Sequence, residues 1–529
     1  MAFPHYATTA AGQLRVWREG SGPDLVVLPG LTVAASVRAR MLAETAPGWT
    51  VTVVELPGIG GSAGLWADSL EGLAERIAEA LAALGIGPAV LLAHDLTGPL
   101  AVALARRVAI PPAAVLLSGA DAARAWSGQG IRPPSLAPRQ DGAHLLALWT
   151  HIRDRHLLDP EIPHLPAFDG PAIPSDADLN EAVVAASVAP ERYEALWSLC
   201  VGGSWNGVSV NGVSVEEIAD GALAARLVSL RGALPKAGAL PPTRPFADPA
   251  ALWCDHVDIP AGRVHLRRAG GEGRPLLVFQ TGGGSAAPFA PVVRKLAERH
   301  RVIAPDYLGN GWSDKPERPA SIEALATDAL AVADALGLEE FDLWGSHTGA
   351  LVALEILLRQ PNRVGRAVLE APVFVSGGFL DDVLRHYFPP LVPDRWGRHL
   401  VQAWNWRRDM FLYWPWYRVE RAAARRLGLP EAEDLHAFTV GLLQSGAHYD
   451  RAYRAAFEYD TAARIGQATR PMMICSGADD MLADSLDHAR TLAPPGTLVT
   501  LTPATVWWPR QRADAVAETL RMYEDFLEG

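Results

Sequence analysis

The chain repeats itself. "DLVVLPGLT" at 24–32 has a counterpart in "PLLVFQTGG" at 275–283, each a continuous apolar run ending in glycine. "TVTVVELPGIGGSAG" (50–64) pairs with "RVIAPDYLGNGWSDKP" (301–316): an apolar run, an acidic residue, then a glycine-rich turn. "LEGLAERIAEALAALGI" and "IEALATDALAVADALGL" follow, both with helical spacing of apolar residues and a glycine near the end. "AVLLAHDLTGPLAVALA" and "FDLWGSHTGALVALEIL" complete the series. The copies stay about 252 residues apart throughout, the signature of a tandem duplication. Apolar runs without alternation suit strands buried on both faces. Strands alternating with helices imply parallel sheets with right-handed crossovers. On such sheets ligands bind beyond the carboxyl ends of the strands, so the turns after the strands carry the chemistry.

Both halves resemble the α/β-hydrolase fold. The second resembles the branch that holds epoxide hydrolases, dehalogenases and carbon–carbon bond hydrolases. "TGGG" after the third strand, "DYLGNGWSDKP" after the fourth, "GSHTG" at a strand-to-helix turn and "SGADD" near the end carry the likeness. It covers about 255–529 well, and the first half only from about 12 to 125. The fold expected is therefore α/β: two tandem α/β-hydrolase-like units, mostly parallel sheets with helices on both faces and helical lid insertions. The boundaries expected are a degenerate unit at 1–240 with a lid-like insertion at about 122–220. A Pro-rich linker follows at 241–254, then a second unit at 255–529 with a lid at about 373–461.

The resemblance implies a catalytic order of nucleophile, acid, histidine. His347 stands at the apex of the elbow between Gly345 and Gly349, where the family carries its nucleophile; Ser346 is one position out of register. The acid position survives in "SGADD", and the family's Gly-x-x-Asp spacing selects Asp480 over Asp479. The histidine position is lost: Thr505, Val506 and Trp507 stand where Gly-His-aromatic is normal, and no histidine follows His488. Because Val506 is small and imidazole is long, His347 is expected to reach Asp480 and form a His–Asp dyad able to act as a general base. Glu370, ending the sixth strand, is the alternative partner. Backbone amides near Gly282 and Gly283 and at Thr348 would polarise a carbonyl oxygen, with Ser346 and Trp507 beside the substrate. The other reading is a site that has lost both nucleophile and base and only binds.

The expected lid contains "RWGRHLVQAWNWRRDMFLYWPWYR", with Trp396, Trp404, Trp406, Trp414 and Trp416. Most of these are expected to pack the lid, and together they favour a small apolar or aromatic organic substrate. The first half carries Asp95 at its elbow, like dehalogenases and epoxide hydrolases, but lacks a histidine strand. Its segment 225–238 resembles the acid-bearing strand, with Leu234 near the acid position. Asp95 thus reads as a partly buried carboxylate at a helix N-terminus, and the first half as a scaffold or docking partner. "SWNGVSVNGVSV" (204–215) is a small local repeat whose Asn-Gly steps suggest turns.

Composition removes other classes. Hydrophobic content of 49% and charged content of 20% describe a globular chain. A net charge of −12 with only short basic runs, Arg407–Arg408 and Arg425–Arg426, argues against nucleic acid; the runs read as solvated helix faces. Three separated cysteines, Cys200, Cys254 and Cys475, offer neither a metal spacing nor a disulfide framework. No signal peptide or apolar stretch of membrane length is visible, so a cytoplasmic protein without membrane, metal or cofactor is expected; homo-oligomerisation is left open.

Overall fold

The computed structural model describes residues 2–205, 209–210 and 212–529. Two compact units emerge: residues 1–247 with 393–398, and residues 248–392 with 399–529. Each contains one eight-stranded sheet.

The first sheet comprises β1 (Phe3–Thr9), β2 (Gly12–Gly20), β3 (Asp24–Leu28), β4 (Thr50–Val54), β5 (Ala89–His94), β6 (Ala114–Ser118), β7 (Ser209–Val210) and β8 (Val213–Ile218). Their order is β1-β2-β4-β3-β5-β6-β8-β7. The second comprises β9 (Trp253–Ile259), β10 (Gly262–Ala269), β11 (Pro275–Phe279), β12 (Arg301–Pro305), β13 (Phe341–Ser346), β14 (Val364–Glu370), β15 (Met472–Gly477) and β16 (Leu498–Thr502), in the order β9-β10-β12-β11-β13-β14-β15-β16. In both, two leading antiparallel strands are followed by a parallel series. The predominantly apolar runs lie at the centre: every residue of β3, β4, β5 and β13 is buried. Burying each such Val or Leu contributes roughly 1.5–3 kcal/mol.

The duplication extends to details that periodicity does not reveal. Helix Leu70–Ala83 is capped by Ser69, whose hydroxyl accepts from the Gly72 amide at 3.1 Å; helix Ile322–Ala335 is capped by Ser321, accepting from Ala324 at 3.1 Å. The acidic residue after the fourth strand is structural in both. Glu55 receives the Arg15 guanidinium at 2.6 and 2.7 Å, and Asp306 receives Arg267 and His265 at 2.9 Å each. Burial would raise the Asp306 carboxyl, but Arg267 and His265 hold it well below the usual carboxylate range.

The first unit corrects one expectation. Residues 225–238 do not form the acid-bearing strand: Asp220–Arg231 is a helix. Leu223, Leu227 and Leu230 recur at i, i+4 and i+7 and pack into the core, a helical spacing that outweighs the local likeness to a strand. The place beside β6 is filled by β8, and among the described residues the edge beyond it holds the two-residue antiparallel β7. Of the Asn-Gly steps in this stretch, Asn206, Gly207 and Asn211 lie outside the described residues. Among the described residues no helix is long and apolar enough to cross a membrane.

Candidate functional site

In the second unit β13 runs into helix Thr348–Arg359 through a single residue, His347, at φ 51° and ψ −110°. This is a left-handed, strained conformation for a side chain with a Cβ, costing about 1–3 kcal/mol. The turn is tight because its flanks are glycines. A Cβ on Gly345 would lie 2.1 Å from the Gly349 carbonyl oxygen, and one on Gly349 would lie 2.2 Å from that of Phe279. The His347 amide donates to the Glu370 carbonyl at 2.9 Å, which pins the apex to β14. Asp95 holds the matching apex in the first unit at φ 49°.

His347 Nε2 lies 3.0 Å from Asp480 Oδ1. Asp480 follows β15, and Oδ1 also accepts from the Leu482 amide at 2.9 Å, while the Thr505 hydroxyl approaches Oδ2 at 3.4 Å. Burial would raise this carboxyl, but His347 and its hydrogen bonds outweigh burial and hold it below the ordinary value. Val506 is buried where the family would carry histidine.

Glu370 is occupied elsewhere. Its Oε1 accepts from the Tyr523 hydroxyl at 2.8 Å and its Oε2 from Trp507 Nε1 at 2.8 Å. It is wholly buried, and burial pushes its carboxyl above the ordinary range. Ser346 also turns to this cluster, its Oγ 2.9 Å from Trp507 Nε1. The structure thus brings His347 to Asp480, and gathers Glu370, Ser346, Trp507 and Tyr523 into a separate buried network behind them.

Above His347 lies a small cavity of about 30 Å³. Thr281, Gly284 and Ser285 line it beside Phe289, Phe411, Phe438, Trp507 and Trp508. The Trp507 ring meets His347 edge-on at 5.4 Å. The Gly282 amide is already spent on the Thr348 hydroxyl at 3.0 Å, and Gly283 packs against Tyr453, whose ring lies 2.7 Å from a Cβ built there. The Ala350 and Leu351 amides donate to the His347 carbonyl at 3.0 and 3.4 Å, so the amides of Thr348 and Gly349 at the start of the helix are the donors left at the elbow.

Among the cavity residues that sequence reading did not single out are Tyr453 and Arg407. The Arg407–Arg408 run is not simply a solvated face, because Arg407 is 7% exposed. The signal was in the spacing. In helix Arg398–Leu412 the buried positions Leu400, Ala403, Trp404, Arg407, Met410 and Phe411 form one stripe that includes an arginine. Arg425 is only half-buried and donates to the Met410 and Asp479 carbonyls. None of the five lid tryptophans lines the cavity. Trp406 and Trp416 donate to the Tyr387 carbonyl at 3.2 and 3.0 Å within an aromatic cluster, and Trp396 is exposed.

A strained elbow above a parallel sheet, an acid after the strand two places along and a helical cap define a protein built on the hydrolase elbow. The profile of the alpha/beta hydrolase fold family matches residues 23–157 and 274–503, and the chain belongs to that family. It is similar to RutD of Caulobacter segnis, a protein named as a carbamate hydrolase, at 30% identity over 219 residues, covering 40% of this chain and 75% of that protein. It is also similar to a 2-hydroxymuconate semialdehyde hydrolase of Pseudomonas putida, at 39% identity over 110 residues, covering 20% of this chain and 39% of that one. Among solved structures, an epoxide hydrolase from an endophytic Streptomyces aligns with a TM-score of 0.43 and 23% identity, over 53% of this chain and 96% of that one. The chain is an α/β-hydrolase-fold enzyme whose relatives are named as hydrolases.

Proposed function

We propose that the second unit hydrolyses a small apolar or aromatic substrate of carbonyl or ester type, with His347 as general base and Asp480 as its partner. The observation that carries this reading is the 3.0 Å approach of His347 Nε2 to Asp480 Oδ1 at the wall of a cavity. With Nε2–H donated to the carboxylate, Nδ1 keeps the lone pair. It takes a proton from water, and the hydroxide attacks the carbonyl carbon. The oxyanion that forms is held by the amides at the start of helix Thr348–Arg359. Collapse breaks the bond to the leaving group, which leaves with the proton from the imidazolium. No covalent enzyme intermediate is needed, in keeping with an elbow whose apex is His347 rather than Ser, Cys or Asp. The names of the relatives, a carbamate hydrolase and a semialdehyde hydrolase, support carbonyl chemistry.

One observation favours a second reading, a binding protein without turnover: Trp507 packs on His347, and the cavity is only about 30 Å³. Turnover of a panel of aryl and alkyl esters by wild type, His347→Ala and Asp480→Asn separates the two. Activity lost in both variants supports the dyad; activity untouched by His347→Ala refutes it.

A further inference from the structure

Arg407 is a buried cation without an anion. It is 7% exposed and sits on the lid helix Arg398–Leu412. Among the described residues no carboxylate lies within ion-pairing distance of it. Its Nε has no hydrogen-bond partner, and the contact its Nη1 makes is to the Met410 sulfur at 3.8 Å. Burial pushes its pKa below the ordinary value, and the neighbouring groups that oppose burial are the hydroxyls of Tyr453, which is also its hydrogen-bond partner, Tyr387 and Tyr449, none of them an anion at neutral pH. The Trp406 ring, 4.9 Å away, covers the face of the guanidinium, and Nε is left unsatisfied at its edge. A buried charge of this kind is strongly unfavourable unless something pairs with it. Arg407 also lines the same cavity as His347. Guanidinium geometry matches a carboxylate in bidentate fashion.

We propose that Arg407 is the anion-binding residue of this site, and that the substrate carries a carboxylate set against Arg407 while its scissile carbonyl faces His347. Tyr453 stands beside the guanidinium as a second donor to the same carboxylate. The aromatic wall of Phe411, Phe438 and Trp508 takes the apolar remainder. This substrate class rests on the hydrolytic reading of His347, but the anion site is testable without turnover.

The test is binding of benzoate against its neutral counterpart benzamide, followed by calorimetry on the full chain. Wild type is expected to bind benzoate at least ~10-fold more tightly than benzamide, the span of a charge-assisted pair over a neutral one. His347→Ala keeps that preference, since the base does not touch the carboxylate. Arg407→Met abolishes it, and Arg407→Lys keeps part of it. Arg407→Met should also melt no lower than wild type, because it removes an unpaired buried charge; a residue retained for packing would lower the melting temperature instead. Equal binding of the two probes by wild type, no binding of benzoate, or a preference that survives Arg407→Met overturns the proposal. Loss of ester turnover in Arg407→Met with His347→Ala still active would sink the base assignment and leave the anion site standing.

Discussion

Asp480→Asn tests the dyad with little collateral damage. Asp480 Oδ1 accepts from both His347 and the Leu482 amide, at 3.0 and 2.9 Å. An asparagine oxygen in that place accepts the same two bonds. The new amide group replaces Oδ2, whose contact with Thr505 is long at 3.4 Å, and the threonine hydroxyl can turn to accept from it. What disappears is the charge. During proton transfer His347 becomes an imidazolium, and a carboxylate about 4 Å away between charge centres stabilises it by about 4 kcal/mol at an effective dielectric near 20. At 1.36 kcal/mol per decade this is roughly a 10³-fold loss in kcat/KM. The assay is initial-rate hydrolysis of an aryl ester across pH 5–9, with thermal melting by circular dichroism as the folding control. A loss below about tenfold in a folded variant would refute the idea that Asp480 charges the base.

Other outcomes follow from the same geometry. Glu370 is pushed above its ordinary value of 4.5 by burial, so the proton is held more tightly in the folded chain. Stability is then full below pH 4.5 and falls as pH rises through the folded value, by at most about 1.4 kcal/mol per pH unit. Glu370→Gln should flatten that limb in pH-dependent urea melts. Trp507→Phe leaves Glu370 Oε2 and Ser346 Oγ without their indole donor and should cost about 1–3 kcal/mol in denaturant unfolding. Gly349→Ala drives a Cβ to 2.2 Å from the Phe279 carbonyl and should prevent expression as a folded chain or lower stability by more than about 4 kcal/mol. Because Asp480 is held below 3.8 by His347, the stability it contributes is present above that pH and lost as pH falls further; a wild-type acid limb absent from Asp480→Asn would be seen in the same melts.

The fold was legible because buried parallel strands and amphipathic helices write their periods directly into the chain, and did so twice. The elbow was legible too, since the close approach at Gly345 and Gly349 admits no side chain. The strand register around His347 brought Asp480 within reach as the spacing suggested. Other features depended on residues distant in sequence. That Asp480 rather than Glu370 faces His347 follows from Tyr523 and Trp507 claiming the glutamate oxygens from the C-terminal segments. In the first unit, local likeness to a strand at 225–238 lost to leucines whose helical stripe had a core to fill. Arg407 was the least legible of all. An arginine in a basic run is ordinarily solvated, and burial is a property of the surroundings. The sequence by itself determined the repeat, the layered sheets and the identity of the elbow residue, because those depend on local period and sterics. Only the tertiary structure decided which acid meets the histidine and which cation is left unpaired, because both are settled by side chains converging from strands and lid helices far apart along the chain.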